Sequence, residues 1–276
     1  MPRKSLDRRR SRTSCSILAL ATVLTVGASP AAAQSFLGTG TYVTNPNATG
    51  IVAPVGGTTT TINLNGGQTV IDWTPTDNAS GTGTNILFQP AGTTALFTAG
   101  SDFAVLNRIV PADINRAIVM NGTINSRVSG AQRGSVYFYS PGGFILGGTS
   151  VISVGSLVLT ASPIQLTGNN FITTSGASNT VTFGQAPNPN AAIISNGSIT
   201  AQNAGFGVVP PGDSYVAMVA PKVVHNSTGA ITVNGSAALV GAEAATINFS
   251  TDGLFDIQVT VGSTSTSGVE VYGDIG

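Results

Sequence analysis

From Ser135 to Ser162 the chain reads SVYFYSPGGFILGGTSVISVGSLVLTAS, with no charge anywhere in it. Apolar side chains alternate within it: Val136 and Phe138, Phe144 and Leu146, Ile152 and Val154, Leu157 and Leu159. A period of two places every second side chain on one face, which is the signature of a strand. Ser140-Pro141-Gly142-Gly143, Gly147-Gly148 and Gly155 break the pattern every few residues and mark turns. A helix fails here, because no window keeps the i, i+3, i+4, i+7 pattern for two turns without a glycine. Scattered Ser and Thr make the stretch too polar to cross a membrane as a helix. What remains is a succession of short strands joined by tight corners.

The same texture returns in Ala191–Gly205 and Ser214–Ser250. The second of these predicts strands at Tyr215–Ala220, Val223–Val224, Ala230–Val233, Ala237–Val240 and Thr246–Phe249. Asn-Gly occurs at Asn121-Gly122, Asn196-Gly197 and Asn234-Gly235, which suits either a hairpin or a corner of a parallel coil. The phrase Gly-x-Ile-Thr occurs at Gly197–Thr200 and again at Gly229–Thr232, which favours the coil. The expectation is an all-β solenoid, a parallel β-helix. At roughly 20–25 residues per coil it would hold about ten coils rising about 4.8 Å each. The corner Ser140–Gly143 is expected to be exposed, with Pro141 and Gly142 as the two central residues of a type II turn and Gly142 at positive φ.

Charge is scarce, 8% of residues against about 25% in ordinary globular chains. Arg3, Lys4, Arg8, Arg9, Arg10 and Arg12 precede the uncharged run SILALATVLTVGAS (Ser16–Ser29), then Pro30 and Ala-Ala-Ala-Gln. Basic region, short apolar region and A-x-A site predict a secretory signal peptide over 1–33, cut between Ala33 and Gln34. The run is too short for a membrane anchor, so no stable membrane insertion is expected. Cys15 is the one cysteine and lies before the apolar run, leaving the exported chain with no disulfide and no thiolate metal site. From Gln34 onward five basic residues face ten acidic ones, a balance of −5. Nucleic acid is excluded as a partner, since its binders need a basic patch.

An enzyme on a β-helix, such as a polysaccharide lyase or hydrolase, needs clustered Asp, Arg, Lys or His. Here His225 sits in Val-His-Asn-Ser and reads as a surface turn residue. Asp252 and Asp256, separated by Gly-Leu-Phe, read as loop and solvated strand edge. No catalytic residue, metal site or cofactor is expected. Asp72-Trp73 reads as an early cap, with the indole on the core and the carboxylate in water. Arg108 reads either as a recognition residue or as an ion-pair partner for Asp102 or Asp113.

Six blocks from Gln68 to Ser162 stand in a recognisable order: Ile71-Asp72-Trp73; Ile86-Leu87-Phe88; Val105-Leu106-Asn107-Arg108-Ile109; Met120-Asn121-Gly122-Thr123-Ile124; Gly134 to Gly147; and Ser150 to Ser162. Together they resemble the N-terminal secretion domain of filamentous-haemagglutinin-like exoproteins, the two-partner secretion family. Where that family has Asn-Pro-Asn-Gly-Ile this chain has Ser140-Pro141-Gly142-Gly143-Phe144, so the proline and second glycine stay and both asparagines are lost. The resemblance implies a right-handed parallel β-helix over 68–276 after a cap over 34–67. It also implies a partner, an outer-membrane β-barrel transporter with periplasmic recognition domains. Asn107, Arg108, Ser140, Pro141, Gly142 and Gly143 are the candidates for that recognition. The family's adhesin and haemagglutinin roles, including contact with host or surface glycans, rest mostly on repeats downstream. The alternatives are the glycan-active enzyme and a passive surface structural protein.

Overall fold

The computed structural model describes residues 34–53, 57–81, 83–175, 178–203, 214–249 and 255–276. The expected leader, with Cys15 and Ala33, lies outside them; Gln34 is exposed. Among the described residues every regular element is a strand.

Three parallel sheets are visited in turn. The first contains Gly67–Pro75, Phe103–Ile109, Ser135–Tyr139, Ser156–Thr160, Ser214–Ala220 and the start of Gly235–Phe249. The second runs through Thr59–Asn63, Thr94–Ala99, Thr123–Val128, Val151–Val154, Ser198–Ala201, Ala230–Val233 and Asp274–Ile275. The third runs through Ile86–Gln89, Ile118–Met120, Gly143–Leu146, Ala192–Ser195, Lys222–His225 and Val269–Val271. Each pass of the chain adds one strand to each sheet, an order compatible with a β-helix. Asn121-Gly122 and Asn196-Gly197 turn the chain from the third sheet to the second, and Asn234-Gly235 from the second to the first, so all three are corners and none is a hairpin. The two Gly-x-Ile-Thr phrases stack one pass apart, with Ser198 beside Ala230 and Ile199 beside Ile231.

Among the described residues the first sheet holds six parallel rungs, not the ten coils expected. Five steps of about 4.8 Å separate its first and last rungs by about 24 Å. Part of the difference lies in the first two passes, which take 36 residues (Gly67 to Phe103) and 32 residues (Phe103 to Ser135), and part in excursions. After Ser162 the chain leaves the coil and returns through Ser178–Phe183. Gly235–Phe249 is one strand, where sequence predicts two. Its first half continues the first sheet, and its second half pairs antiparallel with Ser178–Phe183 and with Phe255–Gly262. These strands form a lateral sheet over the outer face of the first sheet.

Two cores result. The inner one fills the coil with side chains such as Val136, Phe138, Ile152, Leu157, Leu159 and Ile193, all fully buried. At its early end Phe36 stacks on Phe88 at 4.9 Å between ring centroids and meets Trp73 edge-on at 5.0 Å, under the antiparallel strand Gly38–Thr44. The outer core lies between the first and lateral sheets. It joins Leu106, Tyr137, Val158 and Tyr215 to Phe171, Val181, Ile247 and Phe249. Gln68 ties the excursion to the first rung: its Oε1 accepts from the Phe171 and Ile172 N–H groups, and its Nε2 donates to the Ile172 carbonyl.

The corner Ser140–Gly143 departs from expectation in two ways. Gly143 N donates to Ser140 O at 3.0 Å, so the four-residue turn forms, but the left-handed residue is Gly143 (φ 80°) and not Gly142. The corner is also buried, not exposed. Its two glycines lie between neighbouring passes of chain. A Cβ on Gly142 would stand 2.1 Å from the Arg116 carbonyl oxygen, and one on Gly143 would stand 2.0 Å from that of Ala192. Close approach of backbone, rather than turn type alone, dictates glycine at both. His225 is likewise no surface residue. It is fully buried at the end of a rung, and its Nε2 donates to the Asp274 carbonyl at 3.1 Å.

Candidate functional site

Alternation along the first sheet divides the candidate residues between two environments. Asn107 points into the inner core with no exposed surface. Its Oδ1 accepts from Trp73 Nε1 at 3.0 Å, and its Nδ2 donates to the Tyr137 carbonyl at 3.2 Å. A buried amide needs such partners, since leaving one unpaired costs roughly 1–3 kcal/mol. Asn107 is therefore fully engaged in joining three rungs. Ser140, Pro141, Gly142 and Gly143 are buried in their corner, and the Ser140 hydroxyl has no protein partner.

Arg108, one residue on, faces outward. It stands in register with Asp72 on the preceding rung and with Tyr139 on the following one. Arg108 Nε donates to Asp72 Oδ1 at 2.6 Å, and Nη2 donates to Oδ2 at 2.8 Å. This two-pronged pairing makes Arg108 an ion-pair partner, though with neither expected acid. Asp102 pairs with Arg133, and Asp113 accepts from the N–H groups of Gly81 and Asn115. Asp72 keeps its carboxylate half exposed while the Trp73 indole is buried, as the alternation implies.

These three side chains floor a cleft of about 320 Å³. Thr74, near the end of its strand, and Val110, just past the end of its own, extend the floor, and Pro163 with Ile164, at the start of the excursion, forms the wall. Tyr139 is held above its ordinary pKa by burial, an effect that the nearby Arg108 charge opposes. Sequence reasoning found Arg108 and Asp72 and missed Tyr139, Val110 and Ile164. The signal for Tyr139 was the alignment of Val-Leu-Asn-Arg with Val-Tyr-Phe-Tyr, usable only once the rungs are known to be neighbours.

A second polar cluster secures the preceding loop. Arg116 is buried and donates through Nε to the Thr84 carbonyl, through Nη1 to the Ala79 carbonyl and through both terminal nitrogens to Asp77. The guanidinium holds Asp77 below the usual carboxylate range. Among the described residues no three of His, Cys, Asp or Glu come together in a way that could hold a metal ion. No protein-family model matches the chain, and no curated protein matches it either.

Proposed function

We propose that the chain is a secreted bacterial exoprotein, or the N-terminal secretion module of one. It is exported by a cleaved leader, forms a right-handed parallel β-helix, and is handed across the outer membrane by a two-partner secretion transporter. A haemagglutinin-like adhesive role belongs with this reading.

One observation carries it. Three of the blocks behind the family resemblance are consecutive neighbours in the first sheet: Ile71 pairs with Asn107 and Asn107 with Phe138, residue for residue. The order of blocks along the sequence is thus an order of stacked rungs, which is what supports reading them as one secretion domain. Of the six recognition candidates only Arg108 presents side chain to solvent, so the transporter's contacts on this segment centre on Arg108 and the outer rim beside it.

The test is export. In a host carrying the cognate transporter the chain should appear in the medium, and deleting the transporter should hold it in the periplasm. Equal release with and without the transporter overturns the reading.

A further inference from the structure

We propose that the cleft floored by Asp72, Arg108 and Tyr139 is a binding site for a neutral saccharide. This rests on the cleft's own geometry and not on the route of export.

The charges come first. Asp72 and Arg108 neutralise one another through two parallel hydrogen bonds, so the floor carries no net charge to draw an anion or a cation. The pairing uses Nε and Nη2 of Arg108 and leaves Nη1 over, while the carboxylate, half exposed, has lone pairs to spare. A donor and an acceptor fixed side by side match two adjacent hydroxyls, each of which both donates and accepts. The Thr74 hydroxyl lies on the same floor.

Shape is the second argument. Val110, half exposed, faces a wall of Pro163 and Ile164, giving the apolar contact that the C–H face of a sugar ring needs. A volume of about 320 Å³ falls at the small end of ligand sites, which run from roughly 300 to 1,000 Å³. The floor comes from strands of three successive rungs, so it is rigid before any ligand arrives, which lowers the cost of binding.

The experiment is saturation-transfer NMR on the purified chain with the methyl glycosides of glucose, galactose and mannose, and with glucuronate and sialic acid as charged comparisons. Transfer to at least one neutral glycoside is expected. Val110→Arg fills the cleft from an exposed position and should weaken it about tenfold, roughly 1.4 kcal/mol, with the melting temperature unchanged. Asp72→Asn should weaken it to a similar degree. Absence of transfer to every neutral glycoside overturns the proposal. Transfer confined to the charged sugars, or transfer undiminished in Val110→Arg, overturns it equally.

Discussion

Val151–Val154 and Ser156–Thr160 are separated by Gly155 alone, yet they live in different surroundings. The first lies in the second sheet, where Ile152 and Val154 are buried and Val151 faces water. The second lies in the first sheet, where all five residues are buried. Leu157 and Leu159 enter the inner core, and Val158 enters the outer one. A strand covered on one face must alternate, whereas a parallel strand covered on both can be apolar throughout. The contrast teaches that a continuous apolar strand in such a chain reports a second layer, even when that layer is far away in sequence.

The comparison breaks most sharply under an inserted charge. Leu157→Asp and Val158→Asp should each cost several kcal/mol, because both bury an unpaired carboxylate. Ser198→Asp, on the exposed face of the second sheet, should stay within about 0.5 kcal/mol. Thermal melts by circular dichroism decide it, and a benign Val158→Asp would mean that the lateral sheet does not cover this face.

Next in size is the corner that joins the sheets. Gly142→Ala drives a methyl group into the Arg116 carbonyl and should cost about 3 kcal/mol, the upper end for overpacking. Gly148→Ala, with open space around it, should change the melt by less than about 0.5 kcal/mol. An asparagine at 142 meets the same obstacle as alanine, so an Asn-Pro-Asn-Gly corner cannot be grafted here one residue at a time.

Alkali should separate the two cores. The outer core holds Tyr137 and Tyr215 with their hydroxyls hydrogen-bonded to one another. Burial raises both, Tyr215 to about 12. A folded pKa above the unfolded value of about 10 means stability that is complete below pH 10 and lost as pH rises toward 12. Two units correspond to about 2–3 kcal/mol for Tyr215. Tyrosinate absorbance from this pair should therefore appear late and together with unfolding, and Tyr215→Phe should remove part of the pH dependence. Acid acts elsewhere. Asp77 is lowered by Arg116, so its contribution is present above the ordinary carboxylate pKa and is lost as pH falls through the lowered one. Proteolysis within 77–84 should increase in that acid range while the rungs stay intact.

The smallest effect belongs to the cleft floor. Asp72→Asn removes one partner of a solvent-facing pair and should cost about 0–1 kcal/mol, less in high salt. A larger loss in the melt would show that the pair supports the first sheet and does not merely line the cleft.

Which parts were legible follows from the same contrast. Alternation in Phe144–Leu146 and Ile152–Val154 was readable because each of those strands has one wet face. The two Gly-x-Ile-Thr phrases were readable because neighbouring rungs demand similar residues at one register. The lateral sheet was not readable. Its partners are Ser178–Phe183 and Thr246–Phe249, more than sixty residues apart, and nothing in either segment names the other. The buried corner escaped for a related reason, since Pro-Gly-Gly signals a turn but not the backbone that will press on it from both sides. Arg108 was found but its acid was misjudged, because Asp72 lies across a rung and not nearby along the chain.

The lateral sheet also sets a timetable. Rungs that touch only their neighbours can be laid down in order as a chain is delivered from its N-terminus, each one templating the next. The outer face of Tyr137 cannot be finished on that schedule. It waits for Phe171 and then for Tyr215, whose own ring waits last for Phe249, while Gln68 waits about as long for the backbone of Ile172. A chain emerging in sequence would hold a stacked coil with one greasy side still open until residue 249 arrived, and only then would the molecule lock.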